Sequence, residues 1–180
     1  MSAIRREKAL NRKKKGVEIM ADKKELNITR EFNVPREVLW KAWTDPDMFK
    51  QWWGPREFTT PVAKIDLREG SEYFNCMRST EGQDFCSKGV YREIVEPEQL
   101  VMTDSFADKD GNKVSATYYG MESGFPMEMQ INVTFEERGN KTKLILKHSD
   151  VENLSETDLN DMKQGWNESL DKLAELLTKR

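Results

Sequence analysis

Apolar and polar residues alternate most regularly between Met127 and Glu136, where Met127, Met129, Ile131, Val133 and Phe135 interleave with Glu128, Gln130, Asn132, Thr134 and Glu136. A two-residue period puts one face of an extended strand against a core and the other in water. Arg138-Gly139-Asn140 predicts a turn into a partner strand over Lys141–His148, whose Leu144, Leu146 and His148 share one face. Four more strands are predicted near Thr60–Leu67, Glu72–Ser79, Phe85–Glu96 and Gln99–Phe106, joined by Arg68-Glu69-Gly70, Glu81-Gly82-Gln83 and Pro97-Glu98. A polar stretch with glycines runs from Ala107 to Gly124. Near the start, Leu26, Ile28, Arg30 and Phe32 occupy one phase and Asn27, Thr29 and Glu31 the other, giving a first strand that Pro35 ends.

A helical period occurs in three places. Val34-Pro35-Arg36-Glu37 opens a short helix whose apolar side is Val38, Leu39 and Ala42 with Trp40 or Trp43, and Thr44-Asp45-Pro46 interrupts it. Thr44 or Asp45 can cap a second short helix over Pro46–Gln51, which Gly54-Pro55 stops. From Ser155 to Thr178, Leu159, Met162, Trp166, Leu170, Leu173 and Leu177 recur at three- and four-residue steps behind the capping pattern Ser155-Glu156-Thr157-Asp158. Antiparallel strands that are apolar on one side need a cover, and this long helix is the one available. Gly165 lowers its propensity by about 1 kcal/mol relative to alanine, which suggests close approach by a ligand or by a strand. The expected class is therefore α+β: a curved antiparallel sheet of about seven strands, two short helices after strand 1, and a long C-terminal helix across the sheet.

Four of the five tryptophans, Trp40, Trp43, Trp52 and Trp53, lie within fourteen positions, and the fifth, Trp166, is on the long helix. An indole combines a broad apolar face with one N–H donor, which suits it to lining a cavity. At 180 residues and 37% hydrophobic, one domain with a sizeable core is expected, over residues 23–180. The net charge of −3 is unevenly spread. Met1–Ile19 carries +5 and the rest −8. Residues 1–22 read as a basic, flexible extension, and Met20-Ala21-Asp22 would itself make a sensible start. The acidic body and the lack of aromatics among the basic residues argue against nucleic acid as a partner.

No apolar run reaches the roughly 18–20 residues that span a bilayer, and no apolar segment follows the basic N-terminus as in a secretory signal. The cytoplasm is the default address. Cys76 and Cys86 lie on adjacent predicted strands and could approach one another; in that compartment two reduced, partly buried thiols are expected rather than a disulfide.

The motifs resemble a known family. Thr29-Arg30 leading to Pro35-Arg36-Glu37-Val38-Leu39-Trp40, then Ala42-Trp43-Thr44-Asp45-Pro46, Trp52-Trp53-Gly54-Pro55, Ile65-Asp66-Leu67-Arg68, Gly89-Val90-Tyr91-Arg92-Glu93-Ile94, and Gly165-Trp166 followed by Ser169-Leu170 and Leu173 are similar to stand-alone bacterial proteins related to the C-terminal domain of the activator of the heat-shock-protein-90 ATPase. These belong to the helix-grip, START-like (SRPBCC) superfamily. The resemblance runs from about Glu25 to Leu177. It implies a helix-grip fold and binding of a small, largely apolar ligand between the long helix and the sheet. The separate N-terminal domain with which the eukaryotic co-chaperone grips its chaperone finds no room here, so ATPase activation is not inherited from the name.

Within such a fold the ligand-binding residues are expected to be Trp43, Trp53, Phe58, Tyr73, Asn75, Met77, Tyr91, Met102, Asp104, Phe106, Met127, Met129, His148, Met162 and Trp166, with Leu159 beside them. Methionines adapt to varied ligands; any single one of these residues is more often core, and only the set, with tryptophan from both ends of the chain, favours a cavity. Arg30, Asn75, Asp104, His148 and Glu93 fall in or beside the inward phase, where an unpaired polar group costs about 1–3 kcal/mol. Arg30 can pair with Asp104 or Glu93 while backbone satisfies His148; alternatively these residues recognise a carboxylate, phenol or keto group. His148, the only histidine, is the available general base, with Asp104 or Glu93 to orient it. No nucleophile motif, metal-ligand cluster or glycine-rich phosphate loop accompanies it. A ligand-binding role without metal or cofactor is expected, with a protein-interaction module or a cyclase- or hydrolase-type enzyme as alternatives. A monomer or weak dimer is expected, since a one-sided sheet leaves an edge.

Overall fold

Pro35 ends one element and begins the next, as its fixed φ and missing N–H require. In the computed structural model, which describes residues 23–122 and 124–179, the first strand β1 (Leu26–Phe32) runs into helix α1 (Arg36–Thr44), then α2 (Pro46–Phe49). Asp45 rather than Thr44 caps α2, accepting from the N–H groups of Asp47 and Met48, while the Thr44 hydroxyl turns back to the Trp40 carbonyl. Six strands follow: β2 (Thr59–Ile65), β3 (Glu72–Arg78), β4 (Asp84–Val95), β5 (Gln99–Ala107), β6 (Met129–Arg138) and β7 (Lys141–Ser149). Helix α3 (Glu156–Thr178) closes the fold, its first turn capped by the Ser155 hydroxyl, which accepts from the Asp158 N–H. The basic extension expected over residues 1–22 lies outside the described residues.

All seven strands form one antiparallel sheet in the order β1-β7-β6-β5-β4-β3-β2, so the meander places β1 and β2 at opposite edges. Edge strand β2 tolerates Pro61, where its pairing with β3 shifts register. Strand β6 begins at Met129, where pairing with Asp104 begins, two residues later than the alternation predicts; Met127 precedes it and is exposed. A short 3₁₀ helix, Ala116–Tyr119, interrupts the stretch expected to be irregular.

Three sequence expectations are corrected by register. Cys76 and Cys86 are joined as a disulfide, because they sit directly opposite each other on β3 and β4 with Cα atoms 4.0 Å apart. A bulge in β4 between Tyr91 and Glu93 reverses the phase beyond Tyr91, so Glu93 is exposed instead of inward. Arg30 does face inward on β1, but its partners are on α3: it donates to the Asn167 carbonyl at 3.1 Å and pairs with Asp171. It reaches neither Asp104 nor Glu93.

The core fills the space between sheet and helices. Trp40 and Trp43 pack edge-on against Phe135, and Trp52, fully buried, donates its indole N–H to the Ala42 carbonyl at 2.9 Å. From α3, Trp166, Leu170, Leu173 and Leu177 join them, while Leu159 and Met162 near its start pack on a separate small cluster of Met129, Val151 and Leu154.

Gly89 creates a passage across the sheet. It pairs with Tyr73, whose ring lies over it so that the phenol reaches the Thr103 carbonyl on β5 at 2.7 Å. A Cβ at residue 89 would stand 1.8 Å from that carbonyl and 2.5 Å from the Tyr73 ring. Gly89→Ala is therefore expected to cost more than about 3 kcal/mol, measured by urea unfolding, with loss of near-ultraviolet aromatic dichroism. Stability within about 0.5 kcal/mol of wild type, the range of an ordinary surface change, would contradict the assigned passage.

Candidate ligand-binding cleft

Helix α3 is buried on the core from Trp166 onward and only half-buried at Leu159 and Met162. Between its first half and the sheet lies an open cleft of about 550 Å³, within the usual range for a small-molecule site. The sheet contributes Met77, Asp104, Phe106, Met129 and His148; the helix contributes Asp158, Asp161, Met162, Gly165, Trp166 and Ser169. The rim is completed by Trp53-Gly54-Pro55, by Gly120-Met121-Glu122 and by Phe125. Gly165 is not crowded by a strand: a Cβ there would meet only the Pro55 ring at 3.7 Å. Its missing side chain widens the cleft.

The expected lining residues divide into groups. Trp53, Met77, Asp104, Phe106, Met129, His148, Met162 and Trp166 are brought together around the cleft. Trp43, Tyr73, Asn75, Tyr91 and Met102 surround a deeper void of about 30 Å³, room for one water and no more. Among them Asn75 accepts from the Ser87 hydroxyl opposite it at 3.1 Å. Phe58 packs edge-on against Phe85 and lines neither space. Met127, 49% exposed, lines neither as well. Sequence reading passed over Met121, Glu122 and Phe125, which come from the stretch taken as connection and its end. It also passed over Asp158, Asp161 and Ser169, although Asp158, Met162, Gly165 and Ser169 follow one another at helical steps.

Two ties fix the cleft walls. Lys172 on α3 donates to the carbonyls of Trp53, Gly54, Pro55 and Phe58 at 3.3, 2.9, 3.3 and 3.1 Å, so one ammonium holds the whole turn after α2. Trp166 meets Trp53 edge-on at 4.9 Å and stacks on Trp43 at 6.1 Å, while its indole N–H donates to His148 Nδ1 at 3.4 Å.

That last bond decides the state of His148. With Nδ1 accepting, the proton of a neutral imidazole sits on Nε2. Nε2 has no hydrogen-bond partner and lies 3.9 Å from Asp104 Oδ2, beyond bonding distance. Burial pushes His148 down to about 4 and pushes Asp104 up to about 6, the latter opposed by the Tyr73 hydroxyl that donates to Oδ1 at 3.1 Å. The Tyr73 phenol itself is held well above its ordinary value by burial and then by Asp104. At pH 7 the cleft thus holds a carboxylate beside a neutral imidazole whose accepting nitrogen is already occupied. Neither backbone nor a hydrogen-bonded carboxylate orients His148, so the arrangement expected of a general base is not assembled.

The sequence profile described as "Activator of Hsp90 ATPase homolog 1-like protein" matches residues 33–178. No curated protein matches the sequence. Among solved structures the chain is similar to a protein from Arthrobacter aurescens (TM-score 0.74, 21% identity, covering 87% of each chain). It is similar also to the AHSA1 protein from Silicibacter pomeroyi (TM-score 0.69, 26% identity, 87% of this chain and 100% of that one) and to a protein from Mycobacterium smegmatis (TM-score 0.69, 23% identity, 85% and 90%). These likenesses concern the fold. No helix among the described residues is long and apolar enough to cross a membrane.

The two titrating groups tilt stability in opposite directions. An unfolded Asp104 loses its proton near 3.8 and the folded one near 6, so rising pH lowers stability across that window and has no further effect above it. An unfolded His148 gains its proton near 6.5 and the folded one near 4, so falling pH lowers stability there. Asp104→Asn removes the first slope. Relative to wild type the variant should gain on the order of 2 kcal/mol between pH 4 and 6 and keep that gain at pH 7, read by urea unfolding at stepped pH. A difference that stays constant with pH would mean that Asp104 ionises like an exposed carboxylate.

Proposed function

The chain belongs to the family of Activator of Hsp90 ATPase homolog 1-like proteins, and we propose that its role within that family is to bind a small, largely apolar molecule in the cleft between α3 and the sheet. The observation that carries this reading is the 550 Å³ cleft itself, walled by Trp53, Trp166, Phe106, Phe125 and four methionines, with one ionisable pair set into the wall. Apolar walls supply the driving force by removing ligand surface from water, at roughly 25 cal/mol per Å², and a few polar groups supply orientation. Methionine thioethers repack around ligands of different outline.

The surface favours this role over that of a docking module. Among the described residues, Val95, Tyr118 and Met127 are the large apolar side chains that stand exposed, and they belong to three different segments. Nor does the site favour an enzyme built on a general base, since the accepting nitrogen of His148 is taken by the Trp166 indole and its other nitrogen carries the proton. The Cys76–Cys86 disulfide runs against the expected cytoplasmic address, where thiols are kept reduced, and thiol trapping in intact cells decides between that address and an oxidising compartment.

Gly165 offers the direct test, because it lines the cleft and a Cβ there would meet only the Pro55 ring, at 3.7 Å. Native mass spectrometry of protein from its own host should show a retained small molecule, and that molecule should change the fluorescence of Trp53 and Trp166. Gly165→Leu should keep the fold, judged by circular dichroism and melting temperature, while weakening that ligand at least about tenfold, a loss of about 1.4 kcal/mol. Undiminished affinity in a folded Gly165→Leu protein would move the site elsewhere.

A further inference from the structure

Asp104 is a carboxylate without a cation. Among the described residues its nearest ionisable neighbour of opposite type is His148 Nε2 at 3.9 Å, and burial keeps that ring neutral at pH 7. Among the described residues its one side-chain hydrogen bond is a share, at Oδ1, of the single Tyr73 hydroxyl proton, for which the Thr103 carbonyl is the nearer acceptor. Oδ2 accepts nothing, and the side chain is about a fifth exposed, onto the cleft that it lines. A charge removed from water without a partner is costly, and the structure keeps this one at the inner wall of an aromatic cleft.

The charges around it have one sign. Among the described residues, Glu122, Asp158 and Asp161 also line the cleft, and neither lysine nor arginine does. Lys172, which approaches the rim from behind, is bonded to four carbonyls of the turn after α2. The apolar surface is also of the kind that attracts cations. The rings of Trp53, Trp166, Phe106 and Phe125 are on the lining, and an indole or phenyl face draws a positive head group within about 6 Å.

We propose, building on the reading that the cleft binds an apolar molecule, that this molecule is a cation: an apolar amine or ammonium compound whose head pairs with Asp104 Oδ2 while its body rests against Trp53, Trp166 and Phe106. Of the head groups left open by the sequence, the carboxylate is the one this lining opposes, since it would bring a negative charge against Asp104 and the three acidic residues. A neutral phenol or ketone gains at most a hydrogen bond. An ammonium gains a charge-assisted one together with the field of the whole cleft.

Three probes of one rigid apolar shape separate these cases: 1-adamantanemethylamine, 1-adamantanemethanol and 1-adamantanecarboxylate, titrated at pH 7 by calorimetry and by tryptophan fluorescence. The amine should bind at least about tenfold more tightly than the alcohol, and the carboxylate most weakly. The amine's advantage should shrink in 0.5 M salt, which shortens the reach of the rim charges to about 4 Å. Asp104→Asn, which keeps an acceptor for Tyr73 and the side-chain outline, should remove most of the advantage, leaving the smaller share of the rim acids, while changing the alcohol's affinity by less than about threefold. Equal binding of alcohol and amine, or tighter binding of the carboxylate, overturns the charge assignment and leaves the apolar site standing. A preference undiminished by Asp104→Asn overturns the pairing with Asp104. Silence from all three probes overturns the binding reading as well.

Discussion

The cleft depends on where Trp166 is held. One indole on α3 joins three parts of the chain that are remote in sequence: it stacks on Trp43 of α1, stands edge-on to Trp53 in the turn after α2, and donates its N–H to His148 at the end of β7. On the C-terminal side of that point, Leu170, Leu173 and Leu177 are buried and the helix is part of the core. On the N-terminal side the helix carries Gly165, Met162, Asp161 and Asp158 along a cavity. Near Trp166 the helix thus passes from cleft lining to core, with Ser169 the last residue of α3 on the lining. Aromatic contacts of this type add roughly 0.5–1.5 kcal/mol each beyond their buried area, enough to fix a helix against a sheet without filling the space beyond it.

A second constraint places the charge. Tyr73 can reach β5 because residue 89 has no side chain, and its phenol is shared between the Thr103 carbonyl and Asp104 Oδ1. That bond occupies one carboxylate oxygen and turns the other toward the cleft. The turn bearing Trp53 is fixed independently, by the four carbonyls that converge on Lys172. Wall and charge thus rest on different elements. Ligand contact with the tryptophans and ligand contact with Asp104 are correspondingly separable by mutation.

The period-two strands and the period-3.6 helix were legible because each buries a single face, and burial of a single face is what periodicity records. Met129, Ile131, Val133 and Phe135 read as one side of a strand and are one side of β6; the helical steps from Trp166 to Leu177 read as the buried stripe of α3. Register was not legible. The Cys76–Cys86 disulfide needs the two residues directly opposite each other, which a spacing of ten does not specify, and a single extra residue in β4 turned Glu93 out to solvent. Arg30 was correctly given an inward direction, yet its partners lie on an element more than 130 positions away. The candidate site was half-visible for a related reason. Aromatic and methionine positions on strands announce an inner face, but depth along that face separates a packed interior around Tyr91 and Met102 from an open cleft around Phe106 and His148, and depth leaves no periodic signature.

The Asp104–His148 pair is a place where packing is not optimised for stability. Two apolar residues in their place would remove both titrations, and buried ionisable pairs are often more stable once replaced in that way. Here each group is shifted toward its neutral form, the acid upward and the base downward, and neither completes the other. An acid and a base 3.9 Å apart that served only the fold would close to bonding distance and share a proton; these are kept apart, one by Tyr73 and the other by Trp166. Of these two aromatic residues, Trp166 lines the cleft and Tyr73 belongs to the packed interior beside it. In the proposed binding role, the carboxylate oxygen Oδ2 of Asp104 is the group an entering ligand would meet.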